Sequence, residues 1–143
     1  MAKIADFSFP DELYYDAKEH LWVRPEQGGL VTAGIDDGGR DALGDVVYVQ
    51  LAEPGRSVAR GDPIGSLEAE KMVRPLLAPV SGALRETNAA VVAEPRLVNR
   101  DPYGAWLVRI EASDWERERG LLLHGADAVS AWVEAELAAH GKA

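Results

Sequence analysis

Glycine and proline interrupt this chain at intervals too short for long helices to run between them. The turn signals Pro25/Gly28/Gly29, Glu53-Pro54-Gly55, Arg60-Gly61-Asp62-Pro63, Pro79/Gly82 and Pro102-Tyr103-Gly104 separate six apolar runs: Leu30–Ile35, Val46–Leu51, Ile64–Leu67, Met72–Leu77, Ala83–Thr87 and Trp106–Ile110. Glycine supplies turn conformations that other residues avoid, and proline removes a ladder donor, so short runs bounded in this way predict strands. Several such strands at close spacing predict a small all-β sandwich or barrel, with Trp22 and Trp106 in its core. The pattern changes after Ile110. Ser113 stands three residues before Glu116 as in a capping box, and Val129, Trp132, Val133 and Leu137 recur at helical spacing before Gly141. The expectation is one domain over 1–143, with a β core at about 27–111 and a helical segment at about 113–141 whose apolar stripe packs on the sheet.

Charge and composition exclude several functions. With 15 Lys+Arg against 24 Asp+Glu, the net charge of -9 repels phosphate backbones and offers no basic block to an anionic bilayer, so neither nucleic acid nor membrane is an expected partner. Cysteine is absent, which removes disulfides, thiolate zinc sites and thiol nucleophiles, and His20, His124 and His140 are too scattered for a local metal site. Asp36, Asp37 and Asp41 lack a calcium-loop spacing and read as solvated turn and helix-start residues. There is no Gly-x-Ser-x-Gly elbow and no Gly-rich phosphate loop, so the chain reads as a non-enzyme. Met1–Pro10 carries no apolar run of signal-peptide length, and no segment approaches the roughly 20 apolar residues of a membrane span; a cytoplasmic monomer is expected.

The β part contains a two-fold echo around Lys71. Gly44-Asp45, the run Val46–Leu51, a turn at Pro54-Gly55 and a run ending at Glu68 precede it; Ser81-Gly82, Ala83–Thr87, a loop and Trp106–Glu111 follow. Two β units joined in that way place the joining turn at an exposed tip. A lysine there has three readings: a solvated charge, a gatekeeper against edge-to-edge pairing, or an amine that a carrier-modifying enzyme acylates. Glu68 and Glu70 would favour its charged form and offer features for such an enzyme to recognise.

At this point the chain resembles the glycine cleavage H-protein family of lipoyl-lysine carriers, over roughly Pro10 to Ile110 and with a similar helical tail. The resemblance is carried by Leu13-Tyr14-Tyr15, Lys18 to Val23, Gly34-Ile35, Ala42 to Leu51 with Pro54-Gly55, Glu68-Ala69-Glu70-Lys71, Ala78 to Gly82, Leu97-Val98-Asn99, Pro102-Tyr103-Gly104 and Trp106 to Ile110. It implies the flattened β-barrel of lipoyl and biotinyl carriers, the barrel-sandwich hybrid, with lipoate joined covalently to Lys71 by a lipoate ligase or lipoyl transferase. It further implies that other enzymes do the chemistry; His20, within the family-like motif, has two readings, a partly buried structural histidine or a residue that docks the arm.

The chain departs from the family pattern in three places. Glu68-Ala69-Glu70 precedes the lysine where the family usually has Glu-Ser-Val. The acid beside the lysine is similar to 2-oxoacid dehydrogenase lipoyl domains, while Lys71-Met72 is similar to biotin carriers, so a biotin carrier stands as an alternative beside an unmodified scaffold. Leu21 replaces the acid of the family's His-Glu-Trp, which helps hold the amine of the loaded arm in a surface cleft. Gly38-Gly39 also weakens the short helix expected after Gly34-Ile35. By the resemblance both changes fall where a bound arm docks, which implies a variant carrier with a different cargo as an alternative. The expected partners are then either the glycine cleavage enzymes or, as for the lipoate-binding proteins of sulfur oxidation, a heterodisulfide-reductase-like complex.

Overall fold

The computed structural model describes residues 2–4 (backbone), 7–70 and 72–139; Lys71, His140 and Gly141 lie outside the described residues. In chain order the elements are β1 (Ala2–Ile4), β2 (Phe7–Phe9), β3 (Tyr14–Asp16), β4 (Leu21–Pro25), β5 (Leu30–Ile35), α1 (Asp37–Leu43), β6 (Val46–Leu51), β7 (Ser57–Val58), β8 (Pro63–Ala69) and β9 (Val73–Leu77). There follow β10 (Gly82–Thr87), α2 (Ala89–Ala93), α3 (Leu97–Arg100), β11 (Val108–Ala112), α4 (Trp115–Glu118), β12 (Leu123–His124) and α5 (Ala126–Ala139). A seven-stranded sheet in the order β12-β3-β4-β5-β11-β10-β7 faces a three-stranded sheet β6-β8-β9, and β1 pairs with β2 apart from both. This is the expected all-β core of the barrel-sandwich type, with short helices and a helical tail.

The two sheets bury a common core. Val23, Val31, Ala33 and Ile35 of the large sheet share a cluster with Val46, Val49, Ile64, Leu67 and Leu76 of the small one. The large sheet is covered on its other face as well, where Phe9, Leu13, Tyr15 and Trp22 pack against Val129 and Val133 of α5. The helical stripe thus covers the sheet as its spacing predicts. Covering both faces explains why Leu21, Trp22 and Val23 are all buried, and why β4 has no polar alternation to mark it. The strands accordingly begin well before residue 27.

Several expectations need correction. Trp106 precedes β11 instead of lying in a strand: its carbonyl accepts from Asn88 Nδ2 at 2.8 Å, and the Arg109 guanidinium lies 4.0 Å from the ring centroid, leaving the indole half-buried. The tail is not continuous helix. After α4, whose N-cap position is Asp114 and not Ser113 and carries no side-chain capping bond, a 3-10 turn at Arg119–Leu121 and the strand β12 intervene, and Gly125 at φ 97 turns the chain into α5. Asp36 and Asp37 are buried, not solvated, because α1 uses them. Asp36 Oδ1 accepts from the Gly39 N–H at 2.8 Å, and Asp37 Oδ2 accepts from the Ser8 N–H at 2.9 Å.

The two-fold echo has a structural counterpart. β6 pairs antiparallel with β8 and β10 with β11, each pair interrupted by one irregularity, between Val46 and Tyr48 and between Leu84 and Glu86. The hairpin β8–β9 joins the two units.

Candidate functional site

The β8–β9 hairpin is the most defined feature of the surface around residue 71. Glu68 pairs with Val73, and the Ala69 N–H donates to the Met72 carbonyl at 2.9 Å, so a backbone bond ties the two strands together on either side of position 71. Glu70 and Met72, the chain neighbours of Lys71, are both exposed. Lys71 itself lies outside the described residues.

The turn is held from one side. The Glu70 N–H donates to the Asp45 carbonyl at 3.1 Å, and Glu70 Oε1 in return accepts from the Asp45 N–H at 3.4 Å. Gly44 makes room for this carboxylate: at φ 77 it suits glycine, and a Cβ there would meet Glu70 Oε1 at 2.8 Å. Asn99 of α3 fixes the same segment, its Nδ2 donating to the Gly44 carbonyl at 2.7 Å and its Oδ1 accepting from the Val46 N–H at 2.8 Å. Glu70 is therefore a brace for the turn as well as an exposed charge. Glu68 points outward in the middle strand between Tyr48 and Val73. Sequence reasoning singled out Glu68 and Glu70 but missed Asp45 and Asn99 as supports; the signal available was Asn99 within a segment typical of the family.

His20 belongs to a neighbouring cluster. It ends the β3–β4 turn at φ 56, its N–H donating to the Asp16 carbonyl at 2.8 Å. Its Nδ1 bonds Asp36 Oδ1 at 3.0 Å, its Nε2 bonds Glu136 Oε1 at 2.9 Å, and its ring lies 5.0 Å from that of Trp132. The paired glycines that weaken α1 are what admit this ring, since a Cβ on Gly38 would lie 3.2 Å from it and one on Gly39 3.0 Å from His20 Cβ. The structure thus joins His20 to α1 and α5, while Arg74 of β9 donates to the carbonyl of its neighbour Glu19. Beside His20 opens a cleft of about 130 Å³ lined by Phe7, Phe9, Ala42, Val133, Leu137 and the carboxylate of Glu136.

Burial pulls the His20 pKa down, but the hydrogen bonds and charges of Asp36 and Glu136 outweigh it and hold the ring above its ordinary 6.5. A histidine with a raised folded-state pKa stabilises the fold fully below its unfolded pKa and loses that contribution as pH rises through the folded value. Wild-type stability should therefore fall as pH rises from below 6.5 into the alkaline range, and only modestly because the ring is partly solvated. Urea unfolding across that range should show the decline in wild type and a flatter profile in His20→Gln.

Leu21 is not part of a cleft wall. It is 2% exposed and lies inside the main core beside Ile64, Leu76 and Leu107, so its side chain cannot meet a group at the surface. Among the described residues there is no cluster of three or more His, Cys, Asp or Glu placed to hold a metal, and no helix long and apolar enough to cross a membrane.

A braced turn around position 71, on this barrel, is the setting in which similarity to known proteins becomes informative. Residues 13–135 match the family model described as glycine cleavage H-protein. The chain belongs to the glycine cleavage H-protein family. Among its relatives, the glycine cleavage system H protein of Coxiella burnetii is 43% identical over 129 residues, covering 90% of this chain and 97% of that one. The glycine cleavage system H protein of Mycobacterium avium is 46% identical over 106 residues, covering 73% of this chain and 80% of its own. The crystal structure of a glycine cleavage system H protein from Mycobacterium marinum superposes with a TM-score of 0.75 at 36% identity, over 85% of this H-protein-family chain and 97% of the other.

Proposed function

We propose that this chain is a non-catalytic lipoyl carrier of the glycine cleavage reaction, with Lys71 as the attachment site and Glu68 and Glu70 as recognition features. The observation that carries the reading is the turn Ala69–Met72, closed by its own backbone bond, braced through Glu70 to Asp45, and exposed at both chain neighbours of Lys71. An acylating enzyme needs a lysine whose flanks it can approach and whose backbone does not yield. In the attachment step the neutral Nζ attacks the carbonyl carbon of an acyl adenylate. The C–N amide bond forms, the C–O bond to phosphate breaks, AMP leaves, and the amine's surplus proton passes to water. Once bound, the group supplies a dithiolane able to accept and release a substrate fragment. The chain's part is presentation: the brace holds Glu70, the chain neighbour of the attachment residue, and the cleft by His20 offers an apolar shelter with an acidic margin for the arm. The -9 charge suits docking in basic clefts of the glycine cleavage enzymes. Leu21 is buried and so does not itself line the cleft by His20.

Incubation of the full chain with lipoate, ATP and a lipoate ligase should add one lipoyl group, which peptide mass spectrometry should locate on Lys71, while Lys71→Arg should remain unmodified. Modification of Lys71→Arg at the wild-type level would refute the assignment. The lipoylated chain should then support turnover with purified glycine cleavage enzymes. Activity only with a heterodisulfide-reductase-like complex would keep the carrier and reassign its partners.

A further inference from the structure

We infer that the outward face of the β6–β8–β9 sheet is the docking surface for the enzyme that acylates Lys71, an inference that rests on the proposed attachment site. Four of the six large apolar side chains exposed among the described residues lie here: Val47, Tyr48, Met72 and Val73, against Val92 and Leu121 elsewhere. Their concentration follows from the ladder. Tyr48 pairs with Glu68 and Glu68 with Val73, so these three side chains form one row across the sheet, and the irregularity between Val46 and Tyr48 turns Val47 outward as well. Tyr48 and Val73 are 52% and 63% exposed, values at which an aromatic ring and a branched side chain lose contact with water only if a partner covers them.

The chemistry of the patch describes its partner. Asp45, Glu68 and Glu70 border it, all exposed. The neighbouring cation, Arg74, is half-buried and donates to the Glu19 carbonyl. A complementary surface has an apolar centre, bordered by lysine or arginine. Reach decides which enzyme presents it. Before attachment the reacting atom is the end of a single lysine side chain, so the acylating enzyme has to close over the residues next to position 71. Adjacent strands are about 4.8 Å apart, which sets Tyr48 about 10 Å from Val73, well inside a standard footprint of about 800 Å² per partner. Enzymes that serve the loaded arm meet its far end, and can bind this chain without touching the row. Tyr48 is the side chain best suited to anchor the contact.

The test uses the full-length unmodified chain, lipoate, ATP and a purified lipoate ligase, with initial rates measured against carrier concentration. Tyr48→Thr/Val73→Thr keeps strand-favouring residues at both positions, and a thermal melt confirms that it is folded. Its KM for the carrier should rise about tenfold or more, equivalent to about 1.4 kcal/mol, with kcat within about twofold of wild type. Leu121→Thr, an equally exposed apolar site away from this sheet, should change neither. After exhaustive loading and reduction of the arm to its dithiol with a phosphine, the double variant should be reoxidised by dihydrolipoyl dehydrogenase, with NAD+ taking the two electrons, at the wild-type rate. An unchanged KM in the double variant overturns the docking surface, as does a defect confined to the dehydrogenase reaction, which would give the face to the arm's other partners. Failure of wild type to be lipoylated at Lys71 would instead remove the attachment site, so the two ideas fail by different results.

Discussion

Leu21→Glu should destabilise the fold by about 3–5 kcal/mol or more, a large share of the roughly 5–15 kcal/mol that holds a domain together. The substitution has a functional attraction, since the family resemblance implies an acid at this position between His20 and Trp22. The structure gives it a different outcome. Leu21 pairs with Ile35 in the ladder and turns into the main core, where Ala33, Ile64, Leu76 and Leu107 surround a void of only about 10 Å³. Such a void has no room to hydrate a carboxylate. Loss of the leucine packing alone accounts for about 2–5 kcal/mol, and an unpaired carboxyl in the same space would either take up a proton or force the sheets apart. Urea unfolding followed by tryptophan fluorescence should show a strongly lowered midpoint for Leu21→Glu and a shift of less than about 1.5 kcal/mol for Leu21→Met. A wild-type midpoint in Leu21→Glu would mean that the side chain reaches solvent.

Which parts of this molecule can be read from its residues depends on how far each interaction reaches along the chain. β5 and β6 coincide with the apolar runs Leu30–Ile35 and Val46–Leu51, because turn residues bound both ends and each run is long enough to carry a pattern. β3 is only three residues, and β4 is buried on both faces, so neither length nor alternation betrays them. The stripe of α5 was legible because Val129 and Val133 face the second core, whereas the break at β12 depends on pairing with Tyr14 and Tyr15. The site divides in the same way. Glu68, Glu70 and the turn lie in one local motif. The supports of that turn come from Asn99, 53 and 55 residues from its partners Val46 and Gly44, and His20 meets Glu136 across 116 residues. No periodicity encodes such contacts. The glycines at 38 and 39 show the reverse error: local propensity argues against a helix that tertiary packing of His20 requires them to form.

Gly65→Ala and Gly82→Ala should each destabilise the protein by about 2–5 kcal/mol, combining backbone strain with overpacking, and their functional consequences should differ. Gly65 has φ 153, and a Cβ there would lie 2.3 Å from the Gln50 carbonyl oxygen; Gly82 has φ 156, and its Cβ would lie 2.0 Å from the Glu111 carbonyl oxygen. Both obstacles are backbone atoms of the neighbouring strand, which no rotamer change can move, so relief requires opening the β6–β8 pair in one case and the β10–β11 pair in the other. Gly28, at φ 72 with no atom within 4 Å of its would-be Cβ, is the control: an alanine there bears only the left-handed strain of about 1–2 kcal/mol. Thermal melts should rank Gly28→Ala well above the other two. The lipoylation rate, corrected for the folded fraction, should then separate them. Gly65 lies on the strand that carries the Lys71 turn and aligns Glu68 with Tyr48, so Gly65→Ala should slow modification severalfold. Gly82 pairs with Ala112 and Val58 in the other sheet, and Gly82→Ala should leave the corrected rate unchanged. Equal slowing in both would mean that global stability governs modification; a selective loss in Gly65→Ala means that the ligating enzyme depends on a rigid β6–β8–β9 sheet beneath the lysine.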